Sequence, residues 1–142
     1  MKIVIDTNVA ISGLLWGGAP NRILKLCRDR VVIVIECDDT IQEVKNVLQY
    51  PKFFARLSAL GITAMEAFAY FMNVVTYVPS PKNIPKVIKQ DLFDNTFLGL
   101  AAENSVALIV SGDSHLLRIK NYKKIEIVTP SEGVSVISSF LK

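Results

Sequence analysis

Ile3-Val4-Ile5-Asp6-Thr7-Asn8 is the stretch on which the fold turns. Three β-branched apolar residues read as a strand, and that strand ends on a carboxylate. Ala107-Leu108-Ile109-Val110-Ser111-Gly112-Asp113 repeats the pattern late in the chain, and Val31-Val32-Ile33-Val34-Ile35 is a third unbroken apolar run. Strands without polar alternation are covered on both faces, as in a parallel sheet packed between helices. In such sheets the strand ends and the following helix starts share one edge, and sites form there.

Outward from these runs, short β-rich segments alternate with helical patterns, which predicts an α/β class. The pattern predicts strands near 2–5, 31–35, 74–78, 106–110 and 125–128. Helices are predicted near 19–29, 40–49, 52–60, 63–73, 94–104, 114–119 and 131–140. Gly17-Gly18-Ala19-Pro20 puts a proline into the first turn of a helix, where its missing N–H costs nothing. Pro51 ends the helix before it, Gly61 punctuates a helical hairpin, and Pro79-Ser80-Pro81 opens a loop through Pro85.

The 142 residues fit one domain over 1–142, and 51% hydrophobic against 20% charged residues describes an ordered chain. No apolar run approaches a membrane span, and Asp6 comes too early for a signal peptide, so the expected location is the cytoplasm. Cys27 and Cys37 are too few for a structural zinc site, and Cys37 reads as a small buried hydrophobe. The net charge is only +3. Its distribution carries more: with four acids gathered in one cavity, nine are left elsewhere against 16 Lys and Arg, which suits a polyanionic partner.

Those four acids are Asp6, Glu43, Asp94 and Asp113. Each has an ordinary structural reading. Asp6 in Asp6-Thr7-Asn8 and Asp113 in Ser111-Gly112-Asp113-Ser114 are good helix N-caps. Thr40-Ile41-Gln42-Glu43 has the form of a capping box. Asp91 and Asp94 lie one turn apart, as a cap and a dipole-favoured acid would. Jointly, the four converge on one edge of a parallel sheet. Carboxylates crowded there raise one another's pKa, and a hard divalent cation relieves the conflict, with Mg²⁺ or Mn²⁺ favoured by oxygen ligands. Asn8, Asn95 and Ser111, with Thr7, are candidates to orient the carboxylates. His115, the one histidine, stands outside the catalytic set. Trp16 either stacks on a base or packs against the protein.

In order and spacing, Val4-Ile5-Asp6-Thr7-Asn8, Glu43 in Thr40-Ile41-Gln42-Glu43-Val44, Asp94-Asn95-Thr96-Phe97-Leu98 and Ser111-Gly112-Asp113 resemble the acidic motifs of PIN-domain nucleases, and most of all the VapC-like toxins of prokaryotic toxin–antitoxin pairs. The resemblance implies a three-layer α/β/α fold with a parallel five-stranded sheet in the order 3-2-1-4-5. It implies Mg²⁺- or Mn²⁺-dependent hydrolysis of RNA, a homodimer and a cognate antitoxin. Where many relatives carry Asp-Pro, this chain has Asp91-Leu92-Phe93-Asp94. The ligand role therefore goes to Asp94, beside Asp6 and Asp113, with Asp91 as an auxiliary acid. Arg22, Lys25, Lys45, Lys52 and Arg118 are candidates for RNA contacts.

Two rival functions remain: a phosphatase with an aspartyl nucleophile, and an inactive module that binds RNA or an antitoxin. The segment Ala67-Phe68-Ala69-Tyr70-Phe71-Met72 is apolar almost all round, which predicts a helix buried on every side or covered by a second chain.

Overall fold

A computed structural model describes residues 1–142. The chain forms β1 (Lys2–Ile5), α1 (Thr7–Leu15), α2 (Ala19–Arg28), β2 (Ile33–Glu36) and α3 (Asp38–Leu48). A 3₁₀ turn at Pro51–Phe53 leads to α4 (Phe54–Leu60), α5 (Ala64–Val74) and β3 (Val75–Tyr77). Then follow α6 (Asp94–Glu103), β4 (Leu108–Val110), α7 (Ser114–Leu117), β5 (Asn121–Tyr122), β6 (Ile125–Val128) and α8 (Pro130–Leu141).

The sheet order is β3-β2-β1-β4-β6-β5. The first five strands in that order are parallel and follow the expected topology; β5 is an added edge strand, antiparallel to β6. Because strand side chains alternate, Ile3 and Ile5 of β1 face one core while Val4 faces the other. The larger core packs α1, α2, α3, α5 and α8 on the sheet with Ile23, Leu48, Phe71 and Ile137. The smaller holds Phe97, Leu98 and Leu100 of α6. This is the three-layer α/β/α arrangement.

Three elements differ from their sequence patterns. The run Val31–Ile35 starts pairing two residues late, because Val31 lies outside at the surface and the strand continues to Glu36. Helix α1 directly follows β1, although its apolar positions show no single face. Gly13 explains how it packs: a Cβ there would stand 2.7 Å from Leu24 Cδ1 and 2.8 Å from Pro20 O, so only glycine lets α2 come this close. Helix α5 buries Ala67, Phe71 and Val74 and leaves Met65, Tyr70 and Met72 exposed, so it has one core stripe rather than burial all round.

Both cysteines are buried and free. No single helix is long and apolar enough to cross a membrane.

Candidate active site

The ends of β1 and β4 pair side by side, Ile5 against Val110, which brings Asp6 next to Ser111 and Gly112. Asp6 caps α1: its Oδ1 accepts from the Val9 N–H at 2.9 Å. Its Oδ2 accepts from Ser111 Oγ at 2.5 Å and from the Gly112 N–H at 3.2 Å. Ser111 Oγ in turn accepts from the Asp113 N–H at 2.9 Å, so one hydroxyl ties the two strand-end acids together. Asp113 caps α7 by accepting from the His115 N–H at 2.7 Å. The cap and site readings of Asp6 and Asp113 therefore coexist. A helix cap uses one oxygen and leaves the charge facing the cleft.

Glu43 is a correction. The α3 N-cap is Cys37, and Thr40 takes the third helical position, where its Oγ1 accepts from the Cys37 N–H at 3.0 Å. The helix starts there because β2 ends at Glu36 and hands the chain straight on. Glu43 lies too far into α3 to cap anything. It faces Thr7 instead, whose hydroxyl moderates its charge, although Thr7 Oγ1 and Glu43 Oε2 close no hydrogen bond of ordinary geometry.

Asp94 opens α6 and is only 7% exposed, and its Oδ2 is buried without a hydrogen-bond partner. Asp6, Thr7, Asn8, Glu43, Asp91, Asp94, Phe97 and Asp113 line one cavity of about 60 Å³. That is room for an ion and little more than a water or two.

The electrostatics are those of like charges held together. Burial, then Asp113, Asp91, Asp6 and Glu43, push the Asp94 carboxyl up to about 7. Burial also raises Asp6, against its hydrogen bonds from Ser111, Val9 and Gly112. Glu43 rises through burial and then the charges of Asp91 and Asp6. Unpartnered carboxylate oxygens in an oxygen-only donor set fit a hard divalent cation. In this conformation no three acids are placed to ligate one ion at once. Such an ion would be held partly through water or after small side-chain rotations.

The other candidates are dispersed. Asn8 and Asp91 line the cavity, and Asp91 Oδ1 also accepts from the Phe93 N–H at 3.1 Å. Asn95 turns away. It exchanges two 2.8 Å hydrogen bonds with the Ile88 backbone and donates to Leu92 O, pinning the loop before α6. None of the five basic candidates lines the cavity. Arg22 and Lys25 border a groove between α2 and α8, Lys45 lies over the Phe68 ring, Lys52 lies over Phe53, and Arg118 is exposed after α7.

One acid escaped the sequence reading. Glu36, at the end of β2, is 1% exposed, and burial with the charges of Asp6 and Glu43 pushes it to about 8 against a favourable Thr40 hydroxyl. Its signal was available, since Val31-Val32-Ile33-Val34-Ile35-Glu36 ends on an acid just as β1 leads to Asp6.

A family model described as PIN domain matches residues 2–115. The uncharacterized protein MJ1680 of Methanocaldococcus jannaschii is 26% identical over 150 residues, covering 99% of this chain and 94% of that protein. The crystal structure of PAE2754 from Pyrobaculum aerophilum aligns with a TM-score of 0.62 at 13% identity, covering 98% of this chain and 90% of that one. The last likeness is one of fold.

Proposed function

This chain belongs to the PIN-domain family, whose members are generally nucleases, and on that premise we propose that it is a Mg²⁺- or Mn²⁺-dependent endoribonuclease. The observation that carries this reading is the cavity into which Asp6, Glu43, Asp94 and Asp113 converge, with Asp94 Oδ2 and Glu43 Oε2 buried and unpartnered. Asp6, Asp94 and Asp113 would hold the cation, and Glu43 completes the acidic set. When bound, it would neutralise charge on the scissile phosphate and acidify a water.

The chain's own residues do the rest. Ser111 locks Asp6 and Asp113 in register through its hydroxyl. Glu43 is the candidate general base: its unpartnered Oε2 suits it to orient an attacking water, and burial with the nearby acids raises its affinity for the proton it would take. Asn8 offers a polar contact at the mouth of the cavity. The aspartyl-nucleophile alternative has less support, because the position two residues after Asp6, where such sites usually carry a second acid, is Asn8.

The proposal extends to the biological setting: a toxin of the VapC type, a cytoplasmic homodimer restrained by an antitoxin. Residual support for a partner is the exposed Met65, Tyr70 and Met72 of α5. The direct experiment incubates the purified protein with single-stranded RNA in Mg²⁺, Mn²⁺ or EDTA and analyses the new ends. Metal-dependent products with a 5′-phosphate and a 3′-hydroxyl are expected. Cleavage that persists in EDTA, or a trapped aspartyl-phosphate, would refute the mechanism.

A further inference from the structure

Helix α1 starts at the acidic cavity and ends at a cluster of a different kind. Its C-cap is Trp16, which remains 43% exposed. The Phe53 ring meets the indole edge-on, with centroids 6.1 Å apart and 65° between planes. The Arg56 guanidinium lies 5.4 Å from the Trp16 ring centroid, and Lys52 Nζ lies 5.2 Å from that of Phe53. Arg56 is anchored: its Nε donates to Leu15 O at 2.6 Å. Its remaining N–H groups meet no acceptor, and the molecule's single ion pair is Arg28–Asp29, elsewhere on α2. A fixed, uncompensated cation thus lies beside an open indole.

The surroundings give this cluster a direction. Residues 7–28 contain no Asp or Glu, and neither do residues 44–65. Toward β3, by contrast, α3 opens with the exposed Asp38 and Asp39, and Asp38 accepts from the Tyr77 hydroxyl of β3 at 3.2 Å. Asn8 lines the cavity, and Asn8, Ser12 and Trp16 follow one another at four-residue intervals, which is one face of a helix. The distance from Asn8 to Trp16 along α1 is about 12 Å. A polyanion leaving the cavity meets like charge toward β3, whereas α1 itself carries none; outside the cavity, Glu66 borders the groove beside Gly13 and Leu14 and accepts from the Thr63 N–H.

A surface that offers an open aromatic face and free cations together matches one chemistry in particular. A nucleotide brings a flat base and an anionic phosphate within a few ångströms of each other. We infer that Trp16, cushioned by Phe53 and Arg56, is a base-stacking subsite for an unpaired nucleotide of the strand that enters the acidic cavity. The inference rests on the nuclease reading and sharpens it, since stacking on Trp16 requires a base outside a duplex. Arg56 and Lys52 contact the adjoining phosphates.

Trp16 is the one tryptophan of the chain, so its emission reports on this site alone. The test titrates Asp94→Asn protein in Mg²⁺ with a single-stranded RNA of about eight nucleotides, a common single-strand site size. An abasic strand of equal length serves as the comparison. The base-bearing strand should quench Trp16 emission and the abasic strand should not. Binding followed through a label on the strand should weaken about 5- to 100-fold in Trp16→Ala and much less in Trp16→Phe. Equal quenching by both strands, or saturation without any change in emission, would overturn the subsite. So would emission that shifts with protein concentration alone, which would mean that a second copy covers Trp16. Cleavage by the wild-type protein is measured in parallel. If it cleaves while Trp16 stays silent, the subsite falls and the nuclease stands. If it neither cleaves nor binds, both fall.

Discussion

The two ends of α1 use charge in opposite ways. At its start, Asp6 shares a cavity with Glu43, Asp94 and Asp113, and the fold holds like charges together, Asp6 and Asp94 buried and the other two half-buried. At its end, Arg56 and Lys52 lie on aromatic rings in an acid-free stretch, with water close by. The first arrangement works against stability, and the rest of the fold must over-determine it. The second costs the fold little. A feature kept against its own electrostatics points to chemistry, whereas a surface cluster points to contact. Changes at the two ends should therefore separate activity from stability in different proportions.

The largest effects belong to the cavity. Asp94→Asn should lower metal-dependent RNA cleavage by at least about a hundredfold, on the scale seen when one preorganised group is lost from an active site. Without metal its melting temperature should match or exceed the parent's, because the substitution removes a buried, repelled charge whose Oδ2 has no partner. Asp6→Asn should lose activity as fully but melt lower, by roughly 1 kcal/mol of stability, because Ser111 and Gly112 donate to its carboxylate. Glu43→Gln should lose activity with near-normal stability, since Glu43 caps no helix. Thermal melts beside cleavage assays check all three. An Asp94→Asn protein that melts well below the parent would break the contrast between the two ends of α1.

A smaller effect follows from the raised carboxyls. Asp94 rises from 3.8 to about 7 and Glu36 from 4.5 to about 8. Each folded carboxyl keeps its proton over a range where the unfolded one has lost it. The stability they contribute is complete below the unfolded values and is lost as pH rises through the folded ones. The metal-free protein should therefore melt at progressively lower temperature from about pH 5 to about pH 8. Mg²⁺ or Mn²⁺ should stabilise it more at the upper end of that range. Glu36→Gln should flatten the metal-free profile. A metal-free melting temperature that climbs across the same range would contradict the assignment of buried, mutually repelling acids.

How much of this was legible in the sequence depends on whether a cue was local. The strands β1 and β4 and their acids could be read, because an apolar run followed by Asp6 or by Ser111-Gly112-Asp113 carries its own signal. The sheet order followed from the family resemblance. Helix α1 could not be read. Val9, Ala10, Ile11 and Leu15 are all buried, so no polar face marks the period, and Gly13 makes sense only once Leu24 is seen against it. The β5–β6 hairpin was hidden for another reason. Lys123 and Lys124 both take positive φ, 49° and 69°, in a turn that ordinarily announces itself with Asn or Gly. The cap of α3 was misplaced because Cys37 is an inconspicuous N-cap, which made Thr40 look like the cap and Glu43 its partner. Which oxygens remain unpartnered, the observation that favours a cation, is a property of packing alone.

The smallest effect on the fold is expected at α5, where the notion of a fully apolar helix gave way to a stripe. Phe71 is 0% exposed and belongs to the core, so a charge there would unfold the protein and say nothing about assembly. Met72 is 40% exposed and Met65 is 53% exposed, which makes them the right probes. As surface positions, Met72→Lys and Met65→Lys should change stability by no more than about 0.5 kcal/mol. If α5 covers a second copy, a charge at either position leaves a buried, unpaired cation at the contact, and association should weaken sharply. Sedimentation of the wild-type chain at micromolar concentration should give a dimer, and the variants should give half that mass with unchanged circular dichroism. A wild-type chain that sediments as a monomer would remove the dimer and leave the exposed methionines to a different protein partner. The Trp16 cluster shares no residue with this stripe, so neither lysine variant should alter strand binding by the monomer. Loss of both together would mean that the aromatic corner and α5 form one surface, and the distinction between the site that contacts RNA and the site that contacts protein would dissolve.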